Sequence, residues 1–135
     1  MEIKIFEATD EDMVLIKKYV KQFKLDPENL QREQFIVAKH NDKLVGFGRL
    51  KSYSDCVELG AIGVVPKYRN KGIGKKIIDE LIKIGPENIY ITTDIPEYFY
   101  QFGFKIIKDG PNSIVKKCKT CTIRDNIVAL KLYRE

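Results

Sequence analysis

The residues best suited to chemistry lie in a glycine-rich turn between two apolar segments. The turn reads Arg69-Asn70-Lys71-Gly72-Ile73-Gly74. It follows the apolar run VVP and leads into apolar residues at helical spacing up to Ile84. The N-terminus of a helix offers unpaired N–H groups and a positive dipole end, and glycines allow an anion to approach the backbone. The turn therefore predicts a phosphate or pyrophosphate site.

Two familiar nucleotide-binding patterns do not fit this turn. The Gly-Lys of a P-loop is followed by Ser or Thr, whereas Gly74-Lys75 is followed by Lys76. A dinucleotide-binding fingerprint needs a third glycine at position 77, which is Ile77. These differences argue against Walker-type hydrolysis of nucleoside triphosphates and against a Rossmann site. The turn is therefore interpreted as a general anion-binding site.

The apolar run CVELGAIGVV, just before the turn, carries a second candidate group. Its two glycines, Gly60 and Gly63, are unusual inside a strand and suggest a close approach by a ligand or another backbone. Glu58 shares a face with Ile62 and Val64 by the period of two. This carboxylate is either solvated at an exposed strand end or a general base in a cleft. The sequence leaves both readings open.

The remaining elements follow from periodicity and turn chemistry. EIKIFEA predicts a strand, and Thr9 or Asp10 caps a helix with apolar residues at three-to-four spacing. A second short helix is expected at Asp26-Pro27, a hairpin around Asn41-Asp42, and a strand at NIYITT. PEYFYQF predicts a short helix, and FKII and NIVALKLY predict the last strands. The fold class is α/β or α+β, with a mixed, largely antiparallel sheet flanked by helices.

Length and composition limit the class of protein. A chain of 135 residues, 44% hydrophobic and 32% charged, fits a single domain over residues 1–135. No segment reaches the length of a membrane span, and MEIKIFEATDED lacks the features of a leader, so we expect no membrane partner and a cytoplasmic location. The net charge of +5 is scattered along the chain rather than gathered in one block, so we expect no nucleic-acid partner. The sequence leaves open whether the protein forms a homodimer.

The cysteines raise a metal question. Cys118 and Cys121 have the spacing of a zinc knuckle, but only Cys56 and His40 are available to complete a four-ligand site. We expect no metal and reduced structural thiols, with zinc or a redox-active pair as the less favoured alternatives.

The glycine-rich turn resembles the signature of the GNAT superfamily of acetyl-CoA-dependent N-acetyltransferases. That signature is Arg or Gln, two residues, Gly, one residue, then Gly or Ala, and it stands here at residues 69–74. EYFYQFGFKII resembles the second block of the family, a short aromatic helix closed by Gly-Phe. The order of the predicted elements extends the resemblance over nearly the whole chain.

The resemblance implies a division of roles. The N–H groups of residues 69–74 would bind the pyrophosphate of acetyl-CoA, and the backbone of Ile62, Gly63 and Val64 would pair with the pantetheine arm between splayed central strands. Glu58, eleven positions before Arg69, would be the general base for direct attack of an amine on the thioester in a ternary complex.

The chain departs from the family pattern at the general acid. The tyrosine usually found four residues before the Gly-Phe is Phe99 here, with Tyr98 and Tyr100 beside it. Tyr100 serves as the acid if the helix is rotated or shifted by one residue. Aromatic packing is the alternative for both tyrosines.

A narrower resemblance concerns the acceptor. ELGAIGVVP and the Cys118–Cys121 segment are similar to stand-alone amino-acid acetyltransferases of the N-acetylglutamate synthase type, which implies a small-molecule amine bearing a carboxylate, glutamate first. Such a substrate needs a cation, preferably an arginine. We expect Arg49 to bind it, ahead of Arg32 and Arg124. The alternatives are a protein N-terminal or lysine acetyltransferase and a non-catalytic CoA-binding regulatory module.

Overall fold

The computed structural model describes residues 1–120 and 126–134, so Cys121 and Arg124 lie outside the described residues. The helices are α1 (Asp10–Gln22), α2 (Ile73–Ile84), α3 (Pro96–Phe99) and α4 (Asn112–Thr120). The strands are β1 (Lys4–Glu7), β2 (Phe35–His40), β3 (Lys43–Ser52), β4 (Val57–Val64), β5 (Tyr90–Thr93), β6 (Phe104–Ile107) and β7 (Val128–Leu132). In the described part of the chain, no helix is long and apolar enough to cross a membrane.

The strands form a mixed, mostly antiparallel sheet, which confirms the predicted fold class. The strand order is β1-β2-β3-β4-β5-β7-β6. The pairs β1/β2, β2/β3, β5/β7 and β6/β7 are antiparallel, and β4/β5 is parallel. The parallel strands β4 and β5 are the two strands of the strand, helix and strand unit that the sequence predicted. Helix α2 connects them in the chain, and a helical crossover is the usual connection between parallel neighbours.

The chain divides into two compact units, which are described separately. The first comprises Met1–Leu50 and Gly60–Ile84, and the second Lys51–Leu59 and Gly85–Glu135. The single domain predicted over residues 1–135 stays a prediction.

The first unit contains the hairpin and the two long helices. The N-cap Thr9 and Asp12 form a reciprocal capping box at the start of α1, which buries Ile16 and Val20 in a core with Phe47. Asn41 and Asp42 both have positive φ, of 49° and 64°, as a two-residue type I′ turn between β2 and β3 requires. Both the helix and the hairpin were predicted from the sequence.

One predicted element of this unit is wrong. Asp26 does not start a helix; its Oδ1 accepts from the N–H of Glu28 in a local turn, and Asn29 has a left-handed φ of 53°. A single-turn 3₁₀ helix follows only at Arg32–Gln34. The side chain of Asp26 satisfies a nearby N–H group in a turn, which competes with helix formation.

The second unit contains β5, β7 and β6 with α3 and α4. Helix α3 and the 3₁₀ turn after it end at Gly103, whose φ of 99° favours glycine and whose added Cβ would lie 3.0 Å from the carbonyl oxygen of Tyr133. Helix α4 was not predicted. It buries only Ile114 fully, so its apolar signal in the sequence is short.

Candidate active site

The predicted anion site has the backbone geometry of an uncapped helix N-terminus. Helix α2 begins directly after Gly72, whose φ is 79°, and the N–H of Lys76 donates to the carbonyl of Gly72 at 3.1 Å. Glycine at this N-cap position has no side chain to accept from the N–H groups of the first turn. Asn70 also has positive φ, at 64°. The turn therefore presents several N–H groups at the positive end of a twelve-residue helix.

The charges around this turn favour an anion. Residues 65–78 contain no Asp or Glu, and they carry the cations Lys67, Arg69, Lys71, Lys75 and Lys76. Arg69 braces the turn itself, because its Nε donates to the Val64 carbonyl at 3.0 Å and its guanidinium lies 4.8 Å from the centroid of the Phe23 ring. Lys67 and Lys71 are exposed. The arrangement can hold a pyrophosphate.

Gly63, one of the two glycines of β4, is explained by a side-chain contact that the sequence analysis did not predict. A Cβ on Gly63 would lie 2.4 Å from the ring of Phe47, so the close approach is made by the protein's own core. A Cβ on Gly60 would meet nothing within 4 Å. The interpretation of Gly63 as space for a ligand is therefore not needed to explain that residue.

Ala61 interrupts the regular alternation of β4. Its φ is 48°, in the left-handed region that a residue with a Cβ seldom adopts. Glu58 and Leu59 are both buried although they are adjacent. The period of two therefore does not carry the face of Glu58 across Ala61 to Ile62 and Val64, as the sequence analysis assumed.

Glu58 is the best-defined polar centre of the second unit. Its side chain is 3% exposed, so the solvated reading is wrong. Oε1 accepts from the hydroxyl of Tyr53 at 2.9 Å, and Oε2 accepts from the hydroxyl of Thr92 at 2.6 Å. The Nζ of Lys117 lies 2.9 Å from each oxygen. A buried carboxylate of this kind requires such partners, because an unpaired buried charge is strongly unfavourable.

The sequence analysis did not single out any of these three partners. Thr92 is brought close by the parallel pairing of β5, in which Tyr90 is opposite Glu58. Lys117 lies 59 residues from Glu58 on the helix that was not predicted. Only Tyr53, five residues before Glu58 and across the turn between β3 and β4, had a local signal.

The turn before Glu58 anchors the helix that carries Lys117. Oδ2 of Asp55 accepts from the N–H of Ser113, in the first turn of α4, at 3.1 Å. This hydrogen bond lowers the pKa of the Asp55 carboxyl. Burial, together with a hydrogen bond to Asp55 and the negative charges of Asp55 and Glu58, raises the pKa of Cys56 to about 12. Cys56 is therefore a protonated thiol at neutral pH and a poor nucleophile.

Arg49, the predicted substrate cation, is bound within the first unit. Its side chain is 1% exposed and forms an ion pair with Asp26 at 3.2 Å. It also donates to the carbonyls of Asp26, Glu28 and Asn29 and to Oε1 of Gln34, at 2.8–3.3 Å. These contacts hold the segment between α1 and β2. The predicted contact of Arg49 with a substrate stays a prediction, and this geometry gives it no support.

The aromatic segment around α3 divides into a packed and an exposed part. Phe99 is buried and lies edge-on to Phe104, with ring centroids 6.2 Å apart. Tyr100 is 47% exposed and belongs to the 3₁₀ turn that follows α3. The tyrosine expected at position 99 is thus replaced by a core residue, and Tyr100 as general acid stays a prediction.

Metal ligands do not cluster in the described residues. No group of three His, Cys, Asp or Glu side chains there could hold an ion. Cys56 and Cys118 are both half-buried.

A mostly antiparallel sheet flanked by helices is the arrangement of the GNAT-like fold. The model of the acetyltransferase (GNAT) family matches residues 3–104. The chain belongs to the acetyltransferase (GNAT) family. Acetyl-CoA, predicted from the sequence, is the acyl donor of this family.

Individual relatives agree with this assignment. An amino-acid acetyltransferase of Mycobacterium tuberculosis is 32% identical over 87 residues, which are 58% of this chain and 50% of that protein. The chain thus matches about half the length of that relative.

Two solved structures share the fold. A Mycobacterium tuberculosis protein in complex with CoA superposes with a TM-score of 0.83 at 22% identity, over 98% of this chain and 99% of that one. N-acetylglutamate synthase of Neisseria gonorrhoeae, complexed with coenzyme A and N-acetyl-glutamate, gives a TM-score of 0.80 at 20% identity, over 99% of this chain and 36% of that one.

Proposed function

We propose that the protein transfers an acetyl group from acetyl-CoA to the primary amine of a small amino acid, with glutamate as the first candidate. The observation that carries the proposal is the turn before α2. It combines a glycine N-cap with positive φ, a helix start without a capping side chain and five cations, of which only Lys75 is paired with a carboxylate in the described residues, that of Asp79 at 3.1 Å. A CoA pyrophosphate matches this site in charge and in its demand for backbone N–H donors.

The cosubstrate contacts belong to the first unit. The N–H groups of residues 70–74 (Asn70, Lys71, Gly72, Ile73 and Gly74) bind the pyrophosphate. The N–H of Arg69, which the resemblance also implied, already donates to the Pro66 carbonyl at 3.2 Å. The backbone of Ile62, Gly63 and Val64 pairs with the pantetheine arm. Because the Val64 carbonyl already accepts from Arg69, the pairing there depends on the other backbone groups of the segment.

Glu58 is the general base in this proposal. It takes a proton from the acceptor ammonium, directly or through a water molecule, and the free amine attacks the thioester carbonyl. A C–N bond forms and the C–S bond breaks. The attacking nitrogen loses a second proton as the amide forms, and the CoA thiolate takes one proton, so one proton is released overall. Tyr100 donates the thiolate's proton if it reaches the sulfur, although a thiol that titrates near pH 8.5 also leaves with little help.

The amino-acid acceptor is supported by the relatives rather than by the fold. The Mycobacterium tuberculosis relative is named as an amino-acid acetyltransferase, and the Neisseria gonorrhoeae structure holds N-acetyl-glutamate. A small amino acid carries an ammonium group, and the buried carboxylate of Glu58 already binds one ammonium group, that of Lys117.

A second candidate function is a non-catalytic CoA-binding module. It is favoured by Phe99, which is buried in the aromatic core where the family has a tyrosine, and by Glu58, whose oxygens are both engaged by other side chains. Tight binding of CoA without thiol release from any amine would select this candidate.

The CoA site is tested by Gly74→Ala. Gly74 lies in the first turn of α2, where alanine favours the helix by about 0.5–1 kcal/mol. We expect unchanged or higher thermal stability together with at least a tenfold loss of acetyl-CoA affinity, measured by calorimetry, because the methyl group occupies the approach of a phosphate. Unchanged affinity would place the pyrophosphate elsewhere.

The activity is tested by thiol release from acetyl-CoA with amino acids, their amides, polyamines and peptides. Glu58→Gln should lower kcat by roughly tenfold to a thousandfold with little change in CoA affinity. Acetylation of peptides or polyamines with glutamate inert would remove the amino-acid acceptor. A wild-type rate in Glu58→Gln would leave Glu58 a structural residue.

A further inference from the structure

Thr92 makes the shortest of the described hydrogen bonds to Glu58. Its hydroxyl donates to Oε2 at 2.6 Å, whereas the Tyr53 hydroxyl and the Lys117 ammonium lie 2.9 Å from the carboxylate oxygens. A hydroxyl that donates to an ionised carboxylate typically lies about 2.5–2.7 Å from it, and this bond is roughly twice as strong as one between neutral groups. Thr92 therefore makes a strong contact with one particular oxygen of the buried carboxylate.

The position of the Thr92 hydroxyl is fixed by the sheet. Strand β5 pairs with β7 through Thr92 and Ala129, and with β4 through Tyr90 and Glu58. The hydroxyl is attached directly to the branched β carbon of threonine, so only the first side-chain torsion moves it, and that torsion is restricted. Both ends of the Thr92–Glu58 contact thus lie on paired strands.

The other two donors reach Glu58 through longer side chains. Tyr53 lies in the connection between β3 and β4, and its hydroxyl stands at the far end of the ring. The side chain of Lys117 is 25% exposed and carries its ammonium on a flexible four-carbon stem. The ammonium also lies 2.9 Å from both oxygens, so it pairs with the charge without distinguishing one oxygen from the other.

A general base needs a fixed carboxylate, because it must direct a lone pair at the proton that it takes. The last torsion of a glutamate side chain is broad and roughly two-fold, so the side chain alone does not fix the plane of its carboxylate. A donor that a strand holds against one oxygen fixes this plane. Without the Thr92 hydroxyl, Glu58 would keep its contacts with Tyr53 and Lys117 but would lose the contact that orients it.

We propose that Thr92 is a positioning residue for the acetyl transfer: it acts through Glu58, by holding the carboxylate in the orientation that the base requires. This inference rests on the proposed function, in which Glu58 is the general base. The sequence analysis assigned no role to Thr92.

Thr93, the next residue on β5, provides the contrast. Successive side chains of a strand point to opposite faces of the sheet. Thr93 is buried, and its hydroxyl oxygen accepts from the N–H of Ile95 at 3.0 Å, just before α3. It is therefore a threonine of the same strand whose hydroxyl serves local structure instead of Glu58.

The test measures thiol release from acetyl-CoA in the full chain, with glutamate as the acceptor, or with the most active amine of the screen if glutamate is inert. Thr92→Ala should lower kcat by about tenfold to a hundredfold, the range of one charged hydrogen bond. The KM for the acceptor and the affinity for acetyl-CoA should change by less than about threefold. Thr92→Ser keeps the hydroxyl and should restore kcat to within about threefold of the wild type.

The matched control is Thr93→Ala, which removes the neighbouring hydroxyl. It should lower the stability of the fold but leave the kcat of the folded enzyme unchanged. If Thr93→Ala lowers kcat as much as Thr92→Ala does, the effect belongs to the strand and the proposal is overturned. A wild-type kcat in Thr92→Ala, or a failure of Thr92→Ser to recover the rate, would also overturn it while the proposed function stands.

A mutant cycle with Glu58→Gln tests whether Thr92 acts through Glu58. In the Glu58→Gln background, Thr92→Ala should change kcat by less than about threefold, because no base is left to orient. An equal loss of kcat in both backgrounds would refute the positioning role. A wild-type rate in Glu58→Gln, or no thiol release with any amine, would instead refute the proposed function, and the role of Thr92 with it.

Thr92→Val covers the case in which Thr92→Ala does not fold. Valine lacks the hydroxyl but keeps the branched shape that packs well in a strand. Thr92→Val should show the same loss of kcat and the same dependence on Glu58, and a wild-type kcat in this variant would overturn the proposal.

Discussion

Replacing Arg49 separates a structural role from the substrate contact predicted from the sequence. Arg49 pairs with Asp26 and donates to the backbone carbonyls of Asp26, Glu28 and Asn29, and its guanidinium carbon lies 5.7 Å from the Phe35 ring centroid. Arg49→Met keeps most of the apolar stem but leaves these acceptors without their donor. The change should therefore act on folding stability.

The expected loss in the free energy of unfolding is about 3–5 kcal/mol, the usual cost of removing one partner of a buried ion pair. The individual hydrogen bonds to a charged group are each worth about 1.5–3 kcal/mol, but they are not additive within one cluster. The cost lies toward the lower end because Asp26 is 19% exposed and regains some solvation.

Urea denaturation followed by circular dichroism measures the effect. With a slope of about 2 kcal/mol per molar urea, the midpoint should fall by about 1.5–2.5 M. Arg32→Met is the matched control, because Arg32 is 46% exposed and its ion pairs are worth about 0.2–1 kcal/mol. Its midpoint should change by less than about 0.5 M.

The opposite pattern would refute this reasoning. An Arg49→Met protein with a nearly unchanged midpoint, unchanged CoA affinity and a KM for glutamate raised tenfold or more would restore Arg49 as the substrate cation. A large loss of stability with an unchanged KM in the folded fraction would confirm that Arg49 only holds the segment between α1 and β2.

Three further outcomes are expected. Gly63→Ala should lower the free energy of unfolding, measured in urea, by about 1–3 kcal/mol, because its Cβ would lie 2.4 Å from the Phe47 ring. Gly60→Ala should be neutral because its Cβ would meet nothing within 4 Å, and equal losses in the two variants would contradict the packing argument. With a pKa of about 12, Cys56 should react with iodoacetamide at pH 8 roughly a thousandfold more slowly than free cysteine, and rapid labelling found by peptide mass spectrometry would show that the thiol is not shielded. Burial alone raises the pKa of Asp12, but hydrogen bonds from Thr9 and the nearby Lys39 ammonium outweigh burial, so the pKa is lowered in the folded protein. Ionised Asp12 should therefore stabilise the fold above its unfolded-state pKa, and this stabilisation should be lost as the pH falls through the lower pKa of the folded state. The stability deficit of Asp12→Asn should accordingly shrink below pH 4, and a pH-independent deficit would refute this linkage.

Much of the local structure could be predicted from the sequence because its signals are short-range. The apolar spacing after Gly72 predicted the bounds of α2, and Thr9, one of the two N-cap candidates, predicted the capped start of α1. Asn41-Asp42 gave the hairpin turn, since both residues tolerate positive φ. Glu58 and the turn at residues 69–74 could be chosen as candidates because their residue types are unusual within apolar elements.

The tertiary structure decided what those candidates contact. Gly63 is a glycine because Phe47 packs against it, and Arg49 is turned inward because the segment from Asp26 to Gln34 needs donors for its carbonyls. Phe47 is not close to Gly63 in the sequence, and the segment from Asp26 to Gln34 is not close to Arg49. No local sequence pattern therefore predicts either contact. The left-handed φ of Ala61 is likewise unsignalled, because alanine gives no local preference for that conformation.

The sequence by itself determined the order of most elements, the turn proposed to bind an anion and the position of one carboxylate. Only the tertiary structure decided that this carboxylate is buried and bound by Lys117, because the contact depends on a helix with a weak apolar signal and on a chain separation of 59 residues. Secondary structure and helix termini arise from interactions over a few residues, whereas the surroundings of a buried charge are set by elements that meet only when the chain has folded.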